Sequence, residues 1–228
     1  MNHLLVGLIL IATTSSILAN PDVDTTDSTT PRMLILGDSL SAGYGMKAEE
    51  SWVALLGQRL KQKGFIFQII NASISGNTTG NGLRQLPPLL SQYQPDITLI
   101  ELGGNDGLRG LSLQAMKSNL QSMVDMAKSN NSRVILAGVK LPPNYGKQYT
   151  ENFYNIYQQI ARQNKIDLIP FILEGVGDKS EYMQADGIHP TALAQAKILN
   201  VVWPHVISII RTTNTRSVTQ PSALTSTE

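Results

Sequence analysis

The sequence predicts an α/β fold in which helices cover both faces of a five-stranded parallel sheet. Two observations predict it. Short apolar runs that close in turn residues alternate along the chain with stretches whose apolar residues recur at helical spacing, as in strand–helix–strand units with right-handed crossovers. The strand runs, such as residues 34–36, are also continuously apolar, which is typical of strands buried on both faces.

The strands share an apolar, often β-branched run that ends in glycine or polar residues. We predict them at residues 34–36, 65–70, 96–102, 133–139 and 166–170. The helices between them share an apolar stripe of three- and four-residue spacing, and we predict them at 49–63, 83–90, 111–128, 153–160 and 193–202. The helix at 83–90 should be short, and bent or restarted around Pro87 and Pro88.

The two ends of the chain lack the patterns of the folded domain, which we place at residues 32–210. Residues 4–18 are apolar and stop at Ala19, which predicts a secretory signal peptide at 1–19 and a periplasmic or secreted protein. The alternative is an uncleaved anchor, but the run falls short of the roughly 20 apolar residues of a spanning helix. Once the signal peptide is removed, we expect no stable membrane span.

Composition excludes several classes of function. The 228 residues include 18 basic and 17 acidic side chains and no basic run, so we expect no nucleic-acid partner. The absence of cysteine excludes disulfides, thiolate catalysis and lipid attachment at an N-terminal cysteine. Polar, threonine-rich stretches predict a disordered spacer at 20–31 and a disordered tail at 211–228. We expect a monomer.

Ser39 follows the first strand, where open α/β sheets bind their ligands. A serine hydroxyl at this edge can act as a nucleophile if a neighbouring group takes its proton. Serine after a strand is equally a common helix N-cap, so this segment alone leaves both interpretations open.

One histidine is placed to be the proton acceptor. His3 belongs to the predicted signal peptide, and His205 lies in an apolar helical stretch that favours a packing role. His189 lies in a loop three residues after Asp186, a spacing that lets the carboxylate orient the imidazole. The same residues, Asp-Gly followed by His-Pro, also describe an ordinary turn.

Two further loops carry candidate donors for an oxyanion. Glycine allows a close approach of its backbone amide, and asparagine donates through its side-chain NH₂. The Ser39 amide, the Gly76 amide and the Asn105 side chain could therefore form an oxyanion hole. Taken singly, Gly76 is also compatible with a tight turn and Asn105 with a loop cap.

Taken together, these segments resemble the four sequence blocks of the SGNH (GDSL) hydrolases. The matching blocks are Gly37-Asp38-Ser39-Leu40-Ser41, Gly76, Gly103-Gly104-Asn105-Asp106 and Asp186-Gly187-Ile188-His189-Pro190. The resemblance runs from about Met33 to Pro204. It implies a three-layer α/β/α sandwich with a flavodoxin-like sheet, Ser39 as nucleophile, His189 as base, Asp186 as its orienting carboxylate, and the oxyanion hole just described.

The resemblance also implies an exported esterase or thioesterase that forms an acyl-enzyme, with no cofactor and no metal. Its substrates would be small acyl esters or lipids, such as lysophospholipids, aryl esters and acyl thioesters, bound in a crevice near Leu108 and Leu141. One departure is visible, since Asn77 stands where close relatives carry aspartate. This change puts pH dependence or substrate preference in doubt.

Three alternatives remain open. A carbohydrate acetylesterase of the same superfamily would share all four blocks. A metal-dependent phosphoesterase could use Asp38, Asn105, Asp186 and His189 as ligands, although one loop histidine leaves such a site almost entirely to oxygen. A noncatalytic lipid carrier would have no need of both Ser39 and His189.

Overall fold

The computed structural model describes residues 30–217, with side chains up to Thr212. The predicted signal peptide, residues 20–29 of the predicted spacer and residues 218–228 of the predicted tail lie outside the described residues. The first strand begins at Arg32, where we placed the start of the domain.

Five parallel strands form the centre of the fold. They are β1 (Arg32–Gly37), β2 (Gln68–Asn71), β3 (Ile97–Glu101), β4 (Arg133–Ala137) and β5 (Asp167–Ile169). Their spatial order is β2-β1-β3-β4-β5, and every neighbouring pair is parallel. This is the doubly wound order of flavodoxin-like sheets, so the predicted fold class is confirmed.

Helices cover both faces of this sheet. In chain order they are α1 (Ser39–Ala42), α2 (Trp52–Gln62), α3 (Thr79–Tyr93), α4 (Gly104–Leu108), α5 (Leu113–Ser129), α6 (Lys147–Asn164) and α7 (Ala192–Ser217). Helices α2 and α7 pack on one face, against Met33 and Ile35 of β1. Helices α3, α5 and α6 pack on the other, against Leu34 and Leu36. Consecutive residues of β1 thus enter opposite cores, which explains its unbroken apolar run.

The second strand is shorter than predicted. Residues 65–67 are aromatic and β-branched, but β2 begins only at Gln68, which pairs with Arg32 at the start of β1. Among residues 30–217, no strand pairs with residues 65–67. Phe65 and Phe67 instead pack, partly buried, against the core between α2 and α7.

Helix α3 is longer than predicted and continues through Pro87 and Pro88. The prolines lack the N–H groups that would bond to the carbonyls of Leu83 and Arg84, but their fixed φ is compatible with a helix. Leu86 and Leu90 on either side are buried in the core. Burial of this stripe explains why the helix does not restart.

The last helix also runs beyond its predicted end and past residue 211, where we placed the start of the tail. Ile209 and Ile210 are still buried, and the Thr212 hydroxyl bonds back to the Ser208 and Ile209 carbonyls at 3.2 and 3.0 Å. Within residues 30–217, this helix alone is long and apolar enough, over Ala192–Thr212, to cross a bilayer. Its apolar side is buried against the sheet, as in a core helix.

Candidate active site

Ser39 stands at the start of α1, directly beyond the carboxyl end of β1. The N-cap of this short helix is Asp38, whose Oδ1 accepts a hydrogen bond from the Leu40 amide at 3.1 Å. The capping role considered for Ser39 therefore belongs to its neighbour. The half-buried Ser39 hydroxyl is left to face the cleft.

The Ser39 hydroxyl meets the imidazole of His189. His189 Nε2 lies 2.9 Å from Ser39 Oγ, and His189 Nδ1 lies 2.6 Å from Asp186 Oδ2. Since an ionised carboxylate only accepts hydrogen bonds, Nδ1 carries the proton that points to Asp186, and Nε2 is free to accept from the serine. This chain of contacts can draw a proton from the hydroxyl.

Asp186 is held as an ionised acceptor. Its Oδ1 accepts the backbone amides of Ile188 and His189 at 2.9 and 3.0 Å. These bonds, and above all the one with the His189 ring, lower the pKa of Asp186 to about 2. The aspartate can therefore hold one orientation of the imidazole over the whole neutral range.

Two residues that the sequence did not single out support this loop. The Gln184 side chain donates to the carbonyls of Tyr44 and Pro190 at 2.9 and 3.0 Å, which ties the loop of His189 to the segment after α1. The Tyr44 ring lies 4.4 Å from the imidazole, centroid to centroid. A single glutamine and a single tyrosine in loops carry no pattern that could have identified them.

Gly76 occupies a turn that brings its amide to the same edge. Its φ is +81°, a conformation that residues with a Cβ rarely adopt, and the turn is closed by the Asn77 amide donating to the Ile74 carbonyl at 3.1 Å. Among residues 30–217, nothing accepts a hydrogen bond from the amide of Gly76 or from that of Ser39. Both donors remain available to a ligand.

Asn105 lies on the five-residue helix α4, not in the loop we predicted. Its Nδ2 donates to Asp38 Oδ2 at 3.1 Å and to the Asn77 carbonyl at 3.0 Å, and its Oδ1 accepts from Arg109 at 3.3 Å. The orientation of the amide is therefore fixed from three sides. An oxyanion bound here would accept a hydrogen bond from Nδ2 and would share that proton with Asp38 or with the Asn77 carbonyl.

Two buried carboxyls lie beneath the serine. Burial raises the pKa of Asp38 to about 6, against the effect of its bonds from Leu40 and Asn105. Glu101, at the end of β3, is completely buried and accepts from the Ser41 hydroxyl at 2.8 Å. Burial, followed by the charge of Asp38, raises the pKa of Glu101 well above its usual value.

Glu101 explains why glycine precedes Asp38. A Cβ added to Gly37 would lie 2.9 Å from Glu101 Oε2 and 2.8 Å from the Ser41 side chain, closer than van der Waals contact allows. The tight turn that precedes Ser39 is therefore built on the glycine, the buried acid and the Ser41 hydroxyl. Sequence patterning treats Glu101 only as the polar end of a strand.

A cavity of about 530 Å³ opens beside these groups. Ser39, Asn105 and His189 line it together with Leu108 and Leu141, the two residues expected to contact an acyl chain. The remaining lining is mostly apolar: Leu40, Val139, Pro142, Pro143, Phe171, Leu173, Met183 and Ile188. A separate groove of about 460 Å³ beside α6 and β5 contains none of the predicted site residues.

Asn77, the departure noted in the sequence, is buried beside this site. Its Nδ2 donates to Gln85 Oε1 at 2.9 Å, and its backbone carbonyl is an acceptor for Asn105.

Across residues 30–217, no group of three or more histidine, aspartate or glutamate side chains is arranged to hold a metal ion. Asp38, Asp186 and His189, three of the four candidate ligands of a phosphoesterase, therefore do not form such a group.

Comparison with known proteins gives a consistent set of similarities. The GDSL-like Lipase/Acylhydrolase family matches residues 35–197. Esterase TesA of Pseudomonas aeruginosa is 48% identical over 172 residues, 75% of this chain and 86% of that protein. Thioesterase 1/protease 1/lysophospholipase L1 of Escherichia coli K12 is 47% identical over 163 residues, 72% of this chain and 77% of that protein. The crystal structure of the psychrotrophic esterase EstA from Pseudoalteromonas sp., inhibited by monoethylphosphonate, superimposes with a TM-score of 0.76 at 39% identity, covering 79% of this chain and 98% of that one.

Proposed function

The chain belongs to the GDSL-like lipase/acylhydrolase family of esterases, and on that basis we propose that it hydrolyses acyl esters and thioesters through a covalent acyl-serine intermediate. Ser39 is the nucleophile, His189 the general base and Asp186 the residue that orients it. The single observation that carries the proposal is the hydrogen-bond chain from the Ser39 hydroxyl through the imidazole to the Asp186 carboxylate.

In acylation, Ser39 Oγ attacks the carbonyl carbon of the substrate while its proton passes to His189 Nε2. The carbonyl oxygen becomes an oxyanion, which the amides of Ser39 and Gly76 and the side chain of Asn105 stabilise. When the tetrahedral intermediate collapses, the bond to the leaving group breaks and His189 returns its proton to the departing alkoxide or thiolate.

Deacylation repeats these steps with water. His189 Nε2 takes a proton from water, the resulting hydroxide attacks the acyl carbon, and a second oxyanion forms in the same hole. Collapse releases the carboxylic acid and returns the proton to Ser39 Oγ. Asp186 stays ionised throughout and stabilises the imidazolium that forms in each step.

The apolar lining of the cavity supports the proposal that the enzyme recognises the acyl chain of its substrate. Leu108 and Leu141 lie on the wall, and burial of a methylene contributes about 0.8 kcal/mol. Lysophospholipids, aryl esters and acyl thioesters fit this chemistry, and two related proteins are named esterase and thioesterase/lysophospholipase. The substrate of a carbohydrate acetylesterase has only a two-carbon acetyl group, which would leave most of this apolar wall without a contact.

We further propose that the protein is exported and acts as a monomer. The support for export is the apolar run at residues 4–18 followed by Ala19. Coenzyme A is scarce outside the cytosol, so lysophospholipids and other acyl esters would then be the natural substrates. N-terminal sequencing of the protein recovered from the periplasm or medium should begin at Asn20, whereas an intact Met1 would argue against cleavage.

A phosphonate ester tests the serine mechanism. We expect a 4-nitrophenyl alkylphosphonate to inactivate the enzyme with 1:1 stoichiometry, because Ser39 Oγ displaces 4-nitrophenolate from phosphorus. Peptide mass spectrometry should locate the adduct on Ser39. Activity should persist in EDTA. Loss of activity in EDTA together with resistance to the phosphonate would instead favour metal-dependent chemistry.

A further inference from the structure

Arg109 contacts two of the three segments that carry the proposed oxyanion donors. It is exposed and follows α4 directly. Its Nη2 atom donates to the backbone carbonyl of Gly76 at 3.0 Å and to Asn105 Oδ1 at 3.3 Å. One nitrogen thus joins the turn that contains Gly76 to the helix that contains Asn105.

The first contact restrains the turn at Gly76, in addition to the bond from the Asn77 amide to the Ile74 carbonyl. Gly76 has a left-handed φ of +81°, and glycine is the residue for which alternative backbone conformations cost least. The guanidinium fixes the carbonyl of this residue and therefore restricts the turn that presents its amide. A Cβ on Gly76 would lie 3.5 Å from the same Nη2, which shows how closely the guanidinium covers this turn.

The second contact fixes which way the Asn105 amide faces. A cation donates and cannot accept, so the atom that faces Arg109 must be the oxygen of the amide. The NH₂ group is then directed to Asp38 and the Asn77 carbonyl, at the edge of the cavity. With the amide rotated by 180°, the NH₂ group would face the guanidinium and no donor would face the substrate.

We infer that Arg109 is a positioning residue of the oxyanion hole: it sets the distance between the Gly76 amide and the Asn105 amide and fixes the orientation of the latter. The inference rests on the proposed function, because it assigns Arg109 a part in that reaction. It requires no contact between Arg109 and the substrate. An arginine suits the task because its planar, permanently charged group can donate to two acceptors at once.

The test uses three variants. Arg109→Ala removes both contacts, and Arg109→Lys keeps the charge and one flexible donor. Arg84→Ala is the matched control, since Arg84 is also exposed, lies on the neighbouring helix α3, and its loss changes the net charge equally. For each protein, kcat, KM, the rate of phosphonate inactivation and the thermal midpoint are measured.

We expect Arg109→Ala to lower kcat by about tenfold or more, as for loss of a hydrogen bond from a charged group, with KM and the thermal midpoint nearly unchanged. The rate of phosphonate inactivation should fall in parallel, because the adduct places an oxygen in the same hole. Arg109→Lys should recover part of the loss, and Arg84→Ala should behave as wild type.

Wild-type kcat in Arg109→Ala, a loss confined to KM, or an equal loss in Arg84→Ala would overturn the inference. None of these results would affect the proposed function, which depends on labelling of Ser39. Absence of labelling at Ser39 in the wild-type enzyme would remove both.

Discussion

His189 Nε2 lies 2.9 Å from Ser39 Oγ, although 150 residues separate the two in the chain. The contact exists because β1 ends at one edge of the parallel sheet and the loop before α7 lies at the same edge. Asp186 completes it from the side opposite the serine, at 2.6 Å from Nδ1. The relative orientation of these three groups leads to the first prediction.

Asp186→Asn should lower kcat by up to about 10⁴-fold while the protein stays folded, because the amide can present its NH₂ to Nδ1 and so favour the wrong tautomer of His189. The pKa of Asp186 is about 2, so no assay near neutrality would protonate the wild-type carboxylate and hide the effect. The control is Asp178→Asn, which removes a carboxylate from the wall of the same cavity. Equal activities of the two variants would contradict the orienting role.

Asn105→Ala should cost about 2.7 to 4 kcal/mol of transition-state stabilisation, as expected for loss of one oxyanion donor. The loss should appear in kcat for short and long esters alike, because the oxyanion is common to all of them. Asn144→Ala, at an exposed asparagine beside the cavity residue Pro143, is the control. A change of KM alone would argue against the assignment of Asn105.

Asp38 should make stability depend on pH between about 4 and 6. Burial raises its pKa from 3.8 to about 6 in the folded protein, so the folded state binds the proton more tightly than the unfolded chain does. Its contribution is fully present below about pH 4 and is lost as the pH rises through about 6, a change on the order of 3 kcal/mol.

Urea unfolding at pH 4, 5, 6 and 7 measures this effect. Relative to Asp38→Asn, the wild-type free energy of unfolding should fall over this range. Asp125→Asn, at an exposed carboxylate on α5, should not change the slope. Parallel curves for wild type and Asp38→Asn would show that Asp38 is not the group responsible.

Leu141→Ala should reduce selectivity for longer acyl chains. Leu141 is buried on the cavity wall. Each substrate methylene that loses its contact with this side chain should lose about 0.8 kcal/mol, which is roughly fourfold in kcat/KM. The measurement is kcat/KM for 4-nitrophenyl esters from acetate to palmitate. Leu111→Ala, at an exposed leucine outside the cavity lining, should leave the profile unchanged. An unaltered profile in Leu141→Ala would place the chain elsewhere.

Much of the fold could be predicted because the strands and helices obey simple periodicities. The errors arise where tertiary packing decides. Residues 65–67 have strand-forming side chains but pair with no strand in the part of the chain that the structure describes. Helix α3 continues through two prolines because its apolar stripe is buried. Burial of Ile209 and Ile210 likewise extends α7 beyond the point where the sequence turns polar.

The candidate site could be predicted in part because its residues follow strand ends in short, recognisable blocks. The groups that support them could not be found in this way. Glu101 resembles any polar strand end, Gln184 any loop glutamine, and Arg109 any surface arginine. Each becomes visible only through a contact with a residue distant in sequence, 60 positions away for Glu101 and Ser41 and 140 for Gln184 and Tyr44.

The most direct test of the account is turnover by Ser39→Ala. The variant should fold as wild type does, by circular dichroism and thermal unfolding, because the capping group of α1 is Asp38 and not the serine. With 4-nitrophenyl butyrate, the account predicts hydrolysis near the uncatalysed background. Wild-type rates from this variant would contradict it.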